Sequence, residues 1–390
     1  MRTPTICHIC SFAPEYGGAF IESIIFLSRH CHSKLQIDTF CIFPERAKNR
    51  SWLSKLDEAG IGYGFIPHKK NVTKEIRSLL SKREPVILHS HFFFFDLTAI
   101  LLKCTVFRQA SVVWHYHSQP PPTRLQKIKD LFKLGVIFRC WGGQCIAVGD
   151  GVFRSLRHAG LSADKVALIH NGIDTTRFTA DSESRANVRQ SLKAVNNSTV
   201  FLLLGYAPEI KGVDVFINAA VEVTSNSSLT NLFVIVGRGE TREFVSQMPC
   251  ASKLGEALLV IDPVEDFSNL LNGVDVLVSA SRTEGFGYAV VEAMAAEKQI
   301  LCSDIDPVRQ SYGRSAGVRL FPSEDWKMLA QLMEKSSRLS LDDRQAVGLA
   351  NRHYVNENYS IERWCEKVGC VYLNQIAGQT KASEHDAQCK

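Results

Sequence analysis

At 390 residues, and with domains running to roughly 150 residues, the chain is long enough for two domains with cores of their own, which excludes a stapled mini-domain. Hydrophobic residues make up 45% and charged residues 22%, an ordinary globular mix that excludes collagenous and disordered chains. The 45 Lys and Arg exceed the 40 Asp and Glu by a net charge of +5, which suits an acidic small molecule or an anionic membrane surface and makes nucleic acid an unexpected partner.

Apolar runs of strand length recur along the first half: Thr5 to Cys10, Ile37 to Phe43, Gly64 to Pro67, Pro85 to His91, Val112 to Tyr116 and Cys145 to Val148. Helical periodicity fills the gaps, as at Phe20 to His30 and Val72 to Lys82. Continuous Val, Ile, Leu and Phe runs alternating with helices predict a parallel sheet covered on both faces. The second half repeats the pattern at Lys165 to His170, Val200 to Gly205, Leu232 to Gly237, Ala257 to Ile261, Val274 to Ala280 and Ile300 to Ser303. Beyond Pro322 only helical patterns remain, the last from Ile361 to Asn374. The expected fold is therefore α/β, with two doubly wound Rossmann-like domains. Their expected bounds are 1–170 and 171–358, followed by a helix over 359–378 and a polar, fraying tail over 379–390.

The 12 Cys are scattered, as reduced thiols of a cytosolic protein are. Cys7 and Cys10 fall three apart on a strand, on opposite faces, and are read as core. No apolar leader follows Met1, so a cytoplasmic location is expected. The stretch His91 to Phe107 is broken by Asp96 and Lys103 and falls short of the ~20 residues that span a bilayer.

In open parallel sheets ligands bind beyond the carboxyl ends of strands, so the residues that follow each strand carry the chemistry. Gly17-Gly18 stands before a helix and would let backbone N–H groups approach a phosphate, although a plain tight turn has the same form. His89, His91, His115 and His117 end two strands, and residues two apart share a face. The four imidazoles are open to three readings: a metal site, hydrogen bonds to a ligand, or satisfied structural histidines. With no carboxylate or Cys of suitable spacing, hydrogen bonding is favoured and no metal is expected. His170-Asn171-Gly172 is turn chemistry at the boundary between the halves. Lys211, beside Gly212 and preceded by Gly205, opens a helix and is placed to meet a diphosphate. Most specific is Ser281 to Ala295, in which Glu284 sits in a glycine-rich loop with Gly285, Phe286 and Gly287, and Glu292 lies eight positions on, in the helix that the loop starts.

This combination resembles a retaining, nucleotide-sugar-dependent glycosyltransferase of the GT-B fold, family 4, over nearly the whole chain. The resemblance implies two Rossmann-like domains facing across a cleft, with the final helix crossing back onto the first. By residue, it implies that Gly17 and Gly18 contact donor phosphate and acceptor, and that His117, with His115 one pleat away, contacts the donor sugar. Lys211 with Gly205 and Gly212 would bind the diphosphate. Glu284 and the backbone of Gly285, Phe286 and Gly287 would hold the sugar's hydroxyls, and Glu292 the ribose. Glu284, His117 and Lys211 are the expected catalytic set, with His91, His115 and Asn171 on the acceptor side. No cofactor or bound metal is expected, the nucleoside diphosphate sugar being a substrate.

Three positions depart from the family pattern: Tyr206 where Arg is usual, Glu297-Lys298-Gln299 in place of Gly-x-Pro, and Gln310 in place of an acidic residue. Arg238 or Arg282 is expected to replace the missing cation at Tyr206. The acceptor is expected to be a glycan or a lipid-linked sugar of polysaccharide, lipopolysaccharide or glycolipid assembly. The basic amphipathic stretch Arg124 to Arg139 reads either as a peripheral contact with the inner face of the plasma membrane or as a surface helix. Phe92 to Phe95 reads either as core or as an acceptor pocket. The rival readings are a non-catalytic GT-B partner subunit and a GT-B nucleotide-sugar epimerase; a nicotinamide enzyme is disfavoured because Arg242 stands where GxGxxG needs its third glycine.

Overall fold

The computed structural model describes residues 3–67, 71–117, 132–195, 197–226 and 229–388, the side chains beyond residue 378 excepted. The chain divides into two units, one of Met1–Gly172 with Ile361–Lys390 and one of Ile173–Ser360.

Seven parallel strands form the sheet of the first unit: β1 (Thr3–Cys10), β2 (Asp38–Pro44), β3 (Gly62–Ile66), β4 (Arg83–His91), β5 (Ser111–Tyr116), β6 (Gln144–Ala147) and β7 (Val166–Leu168). Their order is β3-β2-β1-β4-β5-β6-β7. The run Lys165 to His170, whose pattern groups with the second half although the expected bound at 170 keeps it in the first domain, pairs with β6 at the edge of this first sheet. A three-residue edge strand is too short to carry a signal of the sheet it joins.

The second unit has six parallel strands: β8 (Thr199–Leu204), β9 (Asn231–Val236), β10 (Leu258–Ile261), β11 (Val276–Ser279), β12 (Gln299–Ser303) and β13 (Val318–Phe321). They are ordered β10-β9-β8-β11-β12-β13. Both sheets therefore reverse direction once, between β1 and β4 and between β8 and β11. At such a switch the loops leave neighbouring strands in opposite directions and open a crevice at their carboxyl ends.

The strands read as unbroken apolar runs because helices cover both faces. Val200, Phe201, Leu202 and Leu203 of β8 are all buried, and helix Val213–Asn226 presents Val213, Phe216, Ile217, Ala220 and Val223 to the face that carries Phe201 and Leu203. Their spacing of three or four is a single helical stripe. The final helix, Ile361–Gln388, outruns the periodicity read from sequence and includes most of the segment expected to fray. It sets Ile361, Trp364, Cys365, Val368 and Tyr372 against Ile6, Leu27, Ile87 and Val113 of the first unit. Each large apolar side chain so buried contributes about 1.5–3 kcal/mol, enough to dock the helix firmly. Trp364→Ala would cost about 3–5 kcal/mol.

Candidate functional site

In the second unit the loop after β8 and the loop after β11 meet at the switch point. Lys211 ends a short helix, Pro208–Lys211, and Gly212 follows with a φ of +67°. A Cβ at Gly212 would stand 2.2 Å from the carbonyl oxygen of Ala280, so glycine is required both for the left-handed turn and for the close passage of the two loops. That passage delivers the Lys211 Nζ to the Oε1 of Glu284, with which it forms an ion pair. Ser281 Oγ donates to the same oxygen at 2.8 Å. Glu284 is mostly buried, at 12% side-chain exposure against 28% for Lys211. The ammonium has three donors and the carboxylate two oxygens, so both keep capacity for a ligand.

Gly287 begins the helix Tyr288–Ala295 at a φ of +77°, and a Cβ there would meet the Tyr312 hydroxyl at 2.6 Å. The helix start carries no side-chain cap, which leaves N–H groups and a partial positive charge facing outward. Phe286 does not reach into the site as a side chain. It is buried edge-on to Tyr288 and Tyr359 and anchors the loop while Gly285 and Gly287 expose backbone. Glu292, within the helix, accepts no hydrogen bond among the described residues. Burial pushes its carboxyl up to about 7 against the pull of Arg177.

Of the two cations expected at the diphosphate, Arg282 is engaged by side chains of its own unit. Arg282 Nη1 and Nη2 grip Asp214 at 3.0 and 2.7 Å, Nε donates to Glu324 at 2.8 Å, and Nη1 also reaches the Glu209 carbonyl. The fork therefore staples the Lys211 loop to the Glu284 loop. Arg238 stands at the start of helix Gly239–Ser246, after β9, and adds to the pull by which Arg242, bonded to Asp262, holds that carboxyl low. Tyr206, in the loop after β8, is exposed, at 40%. Gly205 is crowded by Ile235 and Thr241, where a Cβ would come within 2.8 Å, and Thr241 Oγ1 donates to its carbonyl at 3.0 Å; its lack of a side chain serves packing.

In the first unit Gly17 and Gly18 open helix Gly18–His30 after β1. A Cβ at Gly17 would meet Ile21 and Trp52 at 2.9 Å, whereas Gly18 has a φ of +51° and open space. His117 follows β5, partly exposed, with its Nε2 3.1 Å from His91 Nδ1. Phe92 stacks on it, with ring centroids 4.4 Å apart. Phe92 and Phe93 both adopt left-handed φ, 65° and 63°, a strained pair of the kind that functional sites retain. Of the four phenylalanines there, Phe95 is core and Phe94 is exposed. Asn171 is buried, with Oδ1 lacking a partner among the described residues.

Half of the basic stretch Arg124 to Arg139, residues 124–131, lies outside the described residues. Within its remainder Lys133 turns inward to Asp96 at 2.6 Å, so it belongs to no surface face, while Phe132, Val136 and the neighbouring Trp141 are exposed. Among the described residues no helix is long and apolar enough to cross a membrane. Sequence reasoning missed Ser281, Asp214, Arg177 and His8. Only Ser281, set directly after a strand and three before Glu284, carried a positional signal.

Comparison with known proteins agrees with this geometry. A family model described as glycosyl transferases group 1 matches residues 184–353, and one described as glycosyltransferase family 4 matches residues 44–177. A D-inositol 3-phosphate glycosyltransferase of Streptomyces scabiei is 28% identical over 172 residues, covering 41% of this chain and 38% of the relative. The UDP-Gal:alpha-D-GlcNAc-diphosphoundecaprenol alpha-1,3-galactosyltransferase of Escherichia coli is 28% identical over 145 residues, 36% of this chain and 37% of that protein. The matched stretch thus spans about two fifths of the length of these curated relatives. A glycosyltransferase structure from Rickettsia africae superposes with a TM-score of 0.81 at 16% identity, over 96% of this chain and 99% of the other. The chain belongs to the group 1 glycosyltransferases and has the GT-B fold.

Proposed function

We propose that the chain transfers a sugar from a nucleoside diphosphate sugar to an acceptor hydroxyl with retention of anomeric configuration. The observation that carries this reading is the Lys211–Glu284–Ser281 constellation at the β8/β11 switch point, beside the uncapped helix start at Tyr288. Cleavage of a sugar–phosphate bond builds negative charge on the departing diphosphate, and preorganised donors aimed at that charge supply most of the catalysis. Lys211 and the backbone N–H groups at Gly287 and Tyr288 are such donors, so no metal is required at the diphosphate. Glu284, tied to Lys211 and Ser281, is suited to hold sugar hydroxyls rather than to attack the anomeric carbon. The acceptor's proton then leaves with the diphosphate, on the face from which the sugar departs. Glu292 is assigned to the ribose, His117 to the donor sugar, and His91, His115 and Asn171 to the acceptor side. Arg238 remains the candidate for the cation that Tyr206 does not provide.

The acceptor is proposed to be a lipid-linked or polysaccharide-precursor glycan, in keeping with the undecaprenol-linked substrate in the name of the Escherichia coli relative. Exposed Phe132, Val136 and Trp141 beside the basic stretch suit a peripheral contact at the cytoplasmic membrane face.

The test is ligand-observed NMR against a panel of uridine, guanosine and adenosine diphosphate sugars, with Glu284→Ala alongside. Binding with slow release of one sugar, lost in the variant, is expected. Binding without release would favour a non-catalytic partner subunit, and isomerised donor an epimerase.

A further inference from the structure

Five histidines from three neighbouring strands gather inside the first unit. His8 lies on β1, His89 and His91 on β4 and His115 on β5, and His117 follows β5. Parallel register sets His8 beside His89 and His91 beside His115. Ring centroids are 4.1 Å apart for His89 and His91 and 4.2 Å for His115 and His117. His8, His89, His91 and His115 are no more than 1% exposed, and His117 is the member that meets solvent.

The hydrogen bonds of this cluster do not close. His91 uses both ring nitrogens, on His8 Nδ1 and His117 Nε2, each at 3.1 Å. His89 Nδ1 takes the Tyr372 hydroxyl at 2.6 Å. His8 Nε2, His89 Nε2 and both nitrogens of His115 have no partner among the described residues. A neutral imidazole always carries one N–H and one lone pair, so buried His115 leaves a donor and an acceptor unmet, which folded cores ordinarily avoid. Burial disfavours the charged form of the four inner rings. The cluster is therefore rich in neutral imidazole lone pairs, the ligand that zinc and its neighbours prefer.

Two overlapping triads bring their ligand atoms within 4.8 Å of one another: His8, His89 and His91, and His91, His115 and His117. The inner triad is fully buried, and three neutral ligands there would leave a dication with no compensating charge. The outer triad includes partly exposed His117, where water, hydroxide or an anion can supply a fourth ligand. Tetrahedral zinc at about 2.0–2.1 Å from each nitrogen sets its ligands about 3.3 Å apart, and His91 Nδ1 and His117 Nε2 already stand at 3.1 Å. His8, on the far nitrogen of His91, is the outer partner that orients a ligating imidazole.

We infer that His91, His115 and His117 bind one divalent transition-metal ion of the zinc and cobalt class, with an open fourth position and with His8 positioning His91. The site is carried by the first unit alone and goes beyond the transfer chemistry proposed above; where it holds an ion, the sugar contacts assigned there to these three histidines pass to the ion's open fourth position. It departs from the sequence expectation of no metal, which counted four histidines and not His8.

The test uses the full chain stripped with chelator and titrated with Co(II) in the absence of any sugar donor, so its outcome is independent of the transferase reading. One equivalent is expected to give the intense visible absorption of a tetrahedral site, displaced by Zn(II). His115→Asn and His117→Asn, checked for folding by circular dichroism, lose the band. His8→Asn weakens affinity about 10- to 100-fold, and exposed His32→Ala leaves it unchanged. Absence of the band in the folded parent protein, or its survival in both His115→Asn and His117→Asn, overturns the assignment. Loss only in His8→Asn and His89→Asn moves the ion to the inner triad and overturns it equally.

Discussion

Lys211 and Glu284, 73 residues apart in sequence, meet as an ion pair where the strand order of the second sheet reverses. Neither partner is fully buried, so the pair is a poor source of stability and a good source of charge for a ligand. Lys211→Met is therefore expected to lower the rate of sugar release from the donor about 100- to 1,000-fold, as loss of one transition-state donor does, with a change in Tm of a degree or two. Steady-state rates beside a thermal melt check both.

Arg282 has the opposite profile. Its fork holds Asp214, at the start of helix Val213–Asn226, and Glu324, after β13, so Arg282→Ala is expected to cost about 1 kcal/mol of stability and to leave the donor affinity of the folded fraction within about threefold. Urea unfolding and a donor titration well below the melting temperature separate the effects. A large loss of affinity with unchanged stability would instead put its guanidinium on the diphosphate.

Glu292 ties stability to pH. Its carboxyl sits at about 7 in the fold against an ordinary 4.5, so between those values the folded chain holds a proton that the unfolded chain has released. Its contribution is fully present below about pH 4.5 and is lost as pH rises through 7 in the ligand-free protein. Glu292→Gln should flatten that part of the profile of urea midpoint against pH. A ligand hydroxyl that donates to the carboxylate should bind more tightly as pH rises over the same range.

Asp96 is buried against Lys133 and Ser90, and its carboxyl is nonetheless raised, because burial outweighs both partners. Lys133→Met strands that charge and should cost about 3–5 kcal/mol. Adding Asp96→Asn should recover most of the loss in a denaturant titration, since a neutral amide needs no counter-ion.

Much of this was legible in the chain. Strands covered on both faces must be apolar throughout, so β8, β9 and β12 announce themselves. Lys211 and Glu284 stand out because each lies in a glycine-bearing loop that follows a strand, with Gly212 and Gly287 held at positive φ. The ion pair of Arg282 was not legible because its partner Asp214 lies 68 residues away, and no local pattern distinguishes a loop staple from a phosphate clamp. His8 was missed because it sits mid-strand between Cys7 and Ile9, where a lone polar residue reads as filler until its neighbours in the sheet are known.

The first unit is assembled from both ends of the chain. A ribosome delivers β1 to β7 long before Ile361, Trp364, Val368 and Tyr372, which complete their core. The middle unit, continuous from Ile173 to Ser360, is free to fold while the first still lacks one of its covering helices. Among the later contacts made is the bond from Tyr372 to His89, so the histidine cluster lacks that partner until the chain has been extended past the middle unit and through Tyr372.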